Sequence, residues 1–182
     1  MRSNVIALGT RAGTSRHEAI QTRKPARTIL GIDPGYAIMG WGVIRASGNT
    51  AECLGYGAIQ THASEEMGQR LALINRELAE IIDKFKPDDI AIEELFFGKN
   101  AKTAIKVAHA RGIVMMRAVE HTGQIFEYKP AQIKQAIVGV GNADKAQVQY
   151  MVQRLLNLRE IPKPDDAADA LAIALTHAAF SR

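Results

Sequence analysis

The sequence predicts a mixed α/β fold, a five-stranded sheet with helices on both faces. Three observations predict it. Three strand-like runs with short connections come first, and helical and strand-like runs then alternate. The first and fourth of these strands are apolar inside and acidic at their exit, as expected of strands covered on both faces.

Residues 28–33 form the first strand, closed by the turn signal Asp33-Pro34-Gly35. Residues 39–45 read as a second strand and residues 51–60 as a third, with Ser47-Gly48-Asn49 turning between them. Such a succession is an antiparallel meander. Over residues 65–85, Leu71, Ile74, Leu78, Ile81 and Ile82 recur at the three- and four-residue spacing of an amphipathic helix, which Lys86-Pro87-Asp88 ends. Residues 89–94 are the fourth strand and residues 95–100 a loop with adjacent Phe96 and Phe97. The helix over residues 101–120 is apolar or small around most of its girth and therefore needs two partners, the sheet and a second copy of the chain. Residues 124–128 give a short fifth strand, and Pro130 begins a short helix. Helices over residues 145–156 and 165–180 complete the pattern.

With 182 residues and 47% hydrophobic content, the chain is expected to bury one core, and no apolar run reaches the roughly 20 residues of a membrane span. Cys53 is the one cysteine, which suits a reducing, cytoplasmic setting. The net charge of +4 is unevenly held. Residues 1–27 carry +5 and leave the remaining 155 residues at −1, so the basic balance belongs to the leader. Two units are expected: a basic, disordered extension over residues 1–27 and a folded domain over residues 28–182. Within that domain, residues 97–134 carry seven lysines and arginines against Glu120 and Glu127, a separation that suits a polyanion lying across one face.

Acids stand where the chain would ordinarily avoid them. Asp33 ends the first strand, Glu93 and Glu94 end the fourth, and Asp165, Asp166 and Asp169 crowd the start of the last helix. Helix capping and the helix dipole explain one or two of the aspartates, and Asp165 is best placed as the cap. They do not explain Asp169, a turn further in and followed by apolar residues. Carboxylates converging in one place repel one another unless cations intervene. Hard oxygen ligands without a cysteine or histidine cluster select Mg²⁺ or Mn²⁺. Two such ions about 4 Å apart suit in-line attack of water on a phosphodiester.

The runs Ile29-Leu30-Gly31-Ile32-Asp33-Pro34-Gly35 with Gly40 and Gly42, Ala91-Ile92-Glu93-Glu94, Lys99-Asn100-Ala101, Ala110-Arg111-Gly112, Val138-Gly139-Val140-Gly141 and Asp166-Ala167-Ala168-Asp169-Ala170-Leu171-Ala172 together resemble the RuvC family of crossover junction endodeoxyribonucleases. The likeness covers residues 28–180 in order. It implies a ribonuclease-H-like fold, a homodimer, and paired Mg²⁺-dependent nicks in two strands of like polarity in four-way (Holliday) junction DNA, in recombination and repair. It carries the metal-ligand role to Asp33, Glu93, Asp166 and Asp169, with two Mg²⁺ per subunit and Mn²⁺ as a substitute, and leaves Asp165 as a cap. It gives Lys134 a catalytic role and, with Lys145, a hold on the scissile backbone. Phe96 matches an aromatic that stacks on a base near the junction centre, and Lys99, Lys102 and Arg111 join the expected DNA contacts. A branch-migration motor and a junction-binding platform are the further partners implied.

Two other functions fit parts of the pattern. A junction-binding module without chemistry would keep the fold, but all four acids are present. An actin-like or sugar-kinase ATPase begins with a similar phosphate loop, but needs a second copy of the fold to enclose its nucleotide.

Overall fold

The computed structural model describes residues 25–94 and 101–181, with no description of the side chains of residues 101–103. The strands are β1 (Arg27–Asp33), β2 (Ile38–Ser47), β3 (Thr50–Gln60), β4 (Asp89–Glu93) and β5 (Phe126–Tyr128). They lie in the order β3-β2-β1-β4-β5. The meander β1-β2-β3 is antiparallel, whereas β4 runs parallel to β1 and β5 parallel to β4. The helices are α1 (Met67–Phe85), α2 (Ala101–Thr122), α3 (Pro130–Val138), α4 (Lys145–Leu155) and α5 (Asp165–Phe180).

Alternation along the central strands builds two cores. Leu30, Ile32, Val43, Ile90 and Ile92 point to one face, where α1 and α2 cover them with Ile74, Leu78, Ile82, Val114 and Ala118. Ile29, Ile44 and Ala91 point to the other, where α5 lies against the sheet and α3 and α4 pack around it. The expected two-sided covering is present.

Element ends shift by a few residues for visible reasons. β1 begins at Arg27 rather than 28, where Arg27 pairs with Ala46 and donates to the buried carboxylate of Asp89 at 2.6 Å. β5 starts at Phe126 rather than 124, because Gly123 takes a left-handed conformation (φ 78°) and Thr122 Oγ1 donates to the Gln124 carbonyl at 2.6 Å. The first residue of α5 is Asp165, so the cap position falls to Pro164 and the expected Asp165 cap is not formed. Asp165 instead pairs with Lys163 at 2.8 Å.

Helix α2 has two characters, as its sequence implies. Ala110, Val114 and Ala118 are buried against the rest of the fold, while Ile105, Met116 and Val119 are about half exposed. No helix among the described residues is long and apolar enough to cross a membrane.

Candidate active site at the strand ends

Strand parity and register bring the acids together. Asp33 lies two and four residues beyond Gly31 and Ile29, and so shares their face, the one that α5 covers. Glu93 shares its face with Ala91 in the same way. The parallel ladder pairs Ile32 with Ile92, so Asp33 and Glu93 are the next residues out on adjacent strands. From the other side, α5 presents Asp166 and Asp169 on one helix face in its first two turns.

Glycines set how closely α5 approaches. Asp33 pairs across the β1–β2 ladder with Gly40. A Cβ at Gly40 would run into the backbone carbonyl of Asp166, and one at Gly31 would lie 2.7 Å from the Ala174 amide nitrogen. Real side chains do not tolerate such contacts, so the bare strand lets the helix backbone settle onto the sheet. In the sequence these glycines stand out only as part of a motif. Their signal was glycine at strand positions that ordinarily favour β-branched residues.

The electrostatics record the convergence. Burial, then the charges of Glu93, Asp169 and Asp166, raise the Asp33 carboxyl to about 7, and Lys145 opposes them. Glu93 is raised by burial and by Asp169, against Lys134. Asp169 is raised by burial, while the Lys145 ammonium, 3.1 Å away, pulls it down. Lys145 also lies 3.6 Å from Asp165. Among the described residues, no three acids stand close enough to enclose an ion as they lie. The four acids share an electrostatic neighbourhood rather than a formed coordination shell.

A cleft of about 210 Å³ lies beside them, lined by Glu93, Lys134, Lys145 and Asp169 among others. Its floor is apolar, from Ile133, Val148 and Ile173. Lys134 therefore stands beside Glu93 and Asp169.

Arg111 is placed differently from expectation. It is buried, and its guanidinium donates to the Glu93 carbonyl and to the Glu127 carboxylate. Both of its terminal nitrogens are thus taken up within the chain. It fastens the end of β4 to β5, a contact that sequence gave no means of finding because Glu127 is 16 residues away. Phe96 and Lys99 lie outside the described residues, as does the Lys102 side chain.

A sheet of this order, with acids collected at the ends of its two central parallel strands and on the helix laid across them, belongs to the ribonuclease-H-like nucleases. Comparison with known proteins narrows the class. The sequence pattern of the family described as crossover junction endodeoxyribonuclease RuvC matches residues 29–177. A RuvC of Alkaliphilus oremlandii is 55% identical over 150 residues, covering 82% of this chain and 92% of that protein. The structure of Thermus thermophilus RuvC superposes with a TM-score of 0.77 at 38% identity, covering 85% of this chain and 95% of that one. The same protein in complex with Holliday junction substrate superposes at 0.80 with 39% identity, covering 86% and 95%. The yeast mitochondrial resolvase Ydc2, at 16% identity and a TM-score of 0.61, shares the fold. The chain belongs to the RuvC family of crossover junction endodeoxyribonucleases.

Proposed function

We propose that this chain resolves four-way DNA junctions by hydrolysing one phosphodiester in each of two strands, with Asp33, Glu93, Asp166 and Asp169 holding the divalent cations, Mg²⁺ in the first instance. The observation that carries this reading is the convergence of Asp33 and Glu93, next residues out on adjacent parallel strands, with the Asp166 and Asp169 face of α5 laid close against them. Carboxylates gathered in this way are short of positive charge, as the raised Asp33 carboxyl reflects, and an all-oxygen donor set suits a hard cation. Bound there, the cation supplies an acidified water and a charge to meet the departing oxygen.

The chain's own residues have separable tasks. The β1 and β4 ends fix Asp33 and Glu93 on rigid backbone, and α5 supplies Asp166 and Asp169 at a height set by Gly31 and Gly40. Lys134, in the cleft beside Glu93, is placed to offset charge on the phosphate under attack. Lys145 holds Asp169 and is the cation that an incoming metal ion would displace or supplement.

Paired incision needs two sites related by a two-fold axis, so the working form is proposed to be a homodimer. The half-exposed apolar stripe Ile105, Met116 and Val119 on α2 supports that helix as the contact. Phe96 is proposed to stack on a junction base, with Lys99 and Lys102 on backbone phosphates. The folded unit is proposed to comprise residues 28–182 with Arg27 added, and residues 1–26 to be an extension.

The test is cleavage of a synthetic four-way junction. Mg²⁺ supports paired nicks, Ca²⁺ supports binding without cutting, and Asp33→Ala binds without cutting in either. Wild-type cleavage by Asp33→Ala would remove the assignment, as would binding without cleavage by the wild type in both metals.

A further inference from the structure

Beyond the acids, the same edge of the sheet holds two cations gathered around one ring. Tyr36 lies in the turn that follows Asp33 and is buried. The Arg70 guanidinium of α1 lies over that ring, its Cζ 3.9 Å from the centroid. The Lys106 ammonium of α2 lies 5.8 Å from the same centroid. Arg70 is 7% exposed, yet its polar partner is a neutral hydroxyl: Nε donates to Thr61 Oγ1 at 2.8 Å, and Thr61 Oγ1 donates to the Tyr36 carbonyl at 2.8 Å. Among the described residues, no carboxylate pairs with Arg70 or Lys106.

This arrangement is incomplete as protein alone. Taking a guanidinium out of water without an anion is costly, and a second cation at the same ring adds repulsion. The ring attraction and one neutral hydrogen bond recover part of that cost. No carboxylate among the described residues engages the terminal amino groups of Arg70, and Arg is suited to bind phosphate oxygens through such a fork. Thr61 follows β3 and Tyr36 follows β1, so the pair stands at the end of the sheet where Asp33 also stands.

We infer that Arg70 and Lys106, braced on Tyr36 and Thr61, form a subsite for a DNA backbone phosphate flanking the one that is cut. The inference rests on the junction-cutting function proposed above. The ligand is a phosphodiester, recognised by charge and fork geometry rather than by base.

Salt dependence of junction binding tests it, because each phosphate contact contributes about 0.9 to the slope of log affinity against log salt on duplex arms. A fluorescent synthetic four-way junction is titrated with the full chain in Ca²⁺ across a salt series. Lys106→Gln, at an exposed position, is expected to lower the slope by about one. Arg70→Gln is expected to do the same and Arg70→Lys to retain most of it, with thermal melting confirming that each is folded. A Lys106→Gln slope equal to wild type overturns the subsite whatever Arg70→Gln does. A wild-type protein that shows no junction affinity overturns the proposed function instead, so the two failures are distinct.

Discussion

Gly40 lies directly beneath the Asp166 carbonyl, with no space for a Cβ between them. Gly40 is also the ladder partner of Asp33. One backbone position therefore sets the spacing between a strand-borne acid and a helix-borne one. Replacing Gly40 with Ala should lift the first turn of α5 at a cost of about 1–3 kcal/mol, the usual range for overpacking. A displacement of about 1 Å at the acids is worth roughly 100-fold in rate. Junction cleavage is expected to fall by that order while junction binding is kept, and parallel melting and cleavage assays check both.

The raised Asp33 carboxyl gives a pH dependence with a definite sign. Its folded value of about 7 exceeds its ordinary value of 3.8, so between these the folded chain holds more protons than the unfolded one. This contribution to stability is complete below about pH 4 and is lost as pH rises through about 7. Asp33→Asn removes the effect. The metal-free variant is expected to melt several degrees above the metal-free wild type at pH 8, with the gap closing toward pH 4. Calorimetric melting in chelator checks this.

Burial, against the pull of Asp89, lowers His177, and the sign reverses. A histidine kept neutral in the fold costs stability as pH falls below its ordinary value of 6.5. His177 Nε2 is 3.3 Å from Asp89 and its Nδ1 2.7 Å from the Tyr128 hydroxyl, in the core near the C-terminal end of α5. Asp89→Asn leaves the His177 and Arg27 contacts weakened at the far end of β4 from Glu93. It should lower stability by about 1–3 kcal/mol while cleavage stays near wild type at a temperature where both are folded. Denaturant melts paired with single-turnover cleavage separate the two effects.

With both terminal nitrogens engaged by Glu93 and Glu127, Arg111 is expected to act through Glu93, so its variants should show in metal use. Arg111→Met leaves the Glu93 carbonyl and the Glu127 carboxylate without their donor. By analogy with other residues that orient metal ligands, activity or metal affinity should drop about 10- to 100-fold. The expected signature is a higher Mg²⁺ concentration for half-maximal cleavage, with the salt slope of junction binding unchanged. A lowered salt slope would return Arg111 to the DNA surface.

Much of this fold was legible in the sequence because its signals are local. The alternation in β1, the four-residue stripe Ile74-Leu78-Ile82 in α1 and the Pro87 stop need no tertiary knowledge. The acids were legible as well, since a carboxylate at the end of a buried strand contradicts its surroundings. What was not legible depends on pairs distant in the chain. Arg111 looked like a cation in a basic span until Glu127 and the Glu93 carbonyl were beside it. Arg70 gave no signal on an amphipathic helix until Tyr36 was beneath it. Asp165 looked like a cap because sequence does not show that Pro164 holds that position.

Whether the four acids bind cations as a set is read by Mn²⁺ titration calorimetry of the full chain at pH 8. The wild type is expected to bind Mn²⁺, and Asp33→Asn, Glu93→Gln and Asp169→Asn are each expected to lose that binding together with junction cleavage. Mn²⁺ isotherms of all three variants that overlay the wild type would contradict binding as a set.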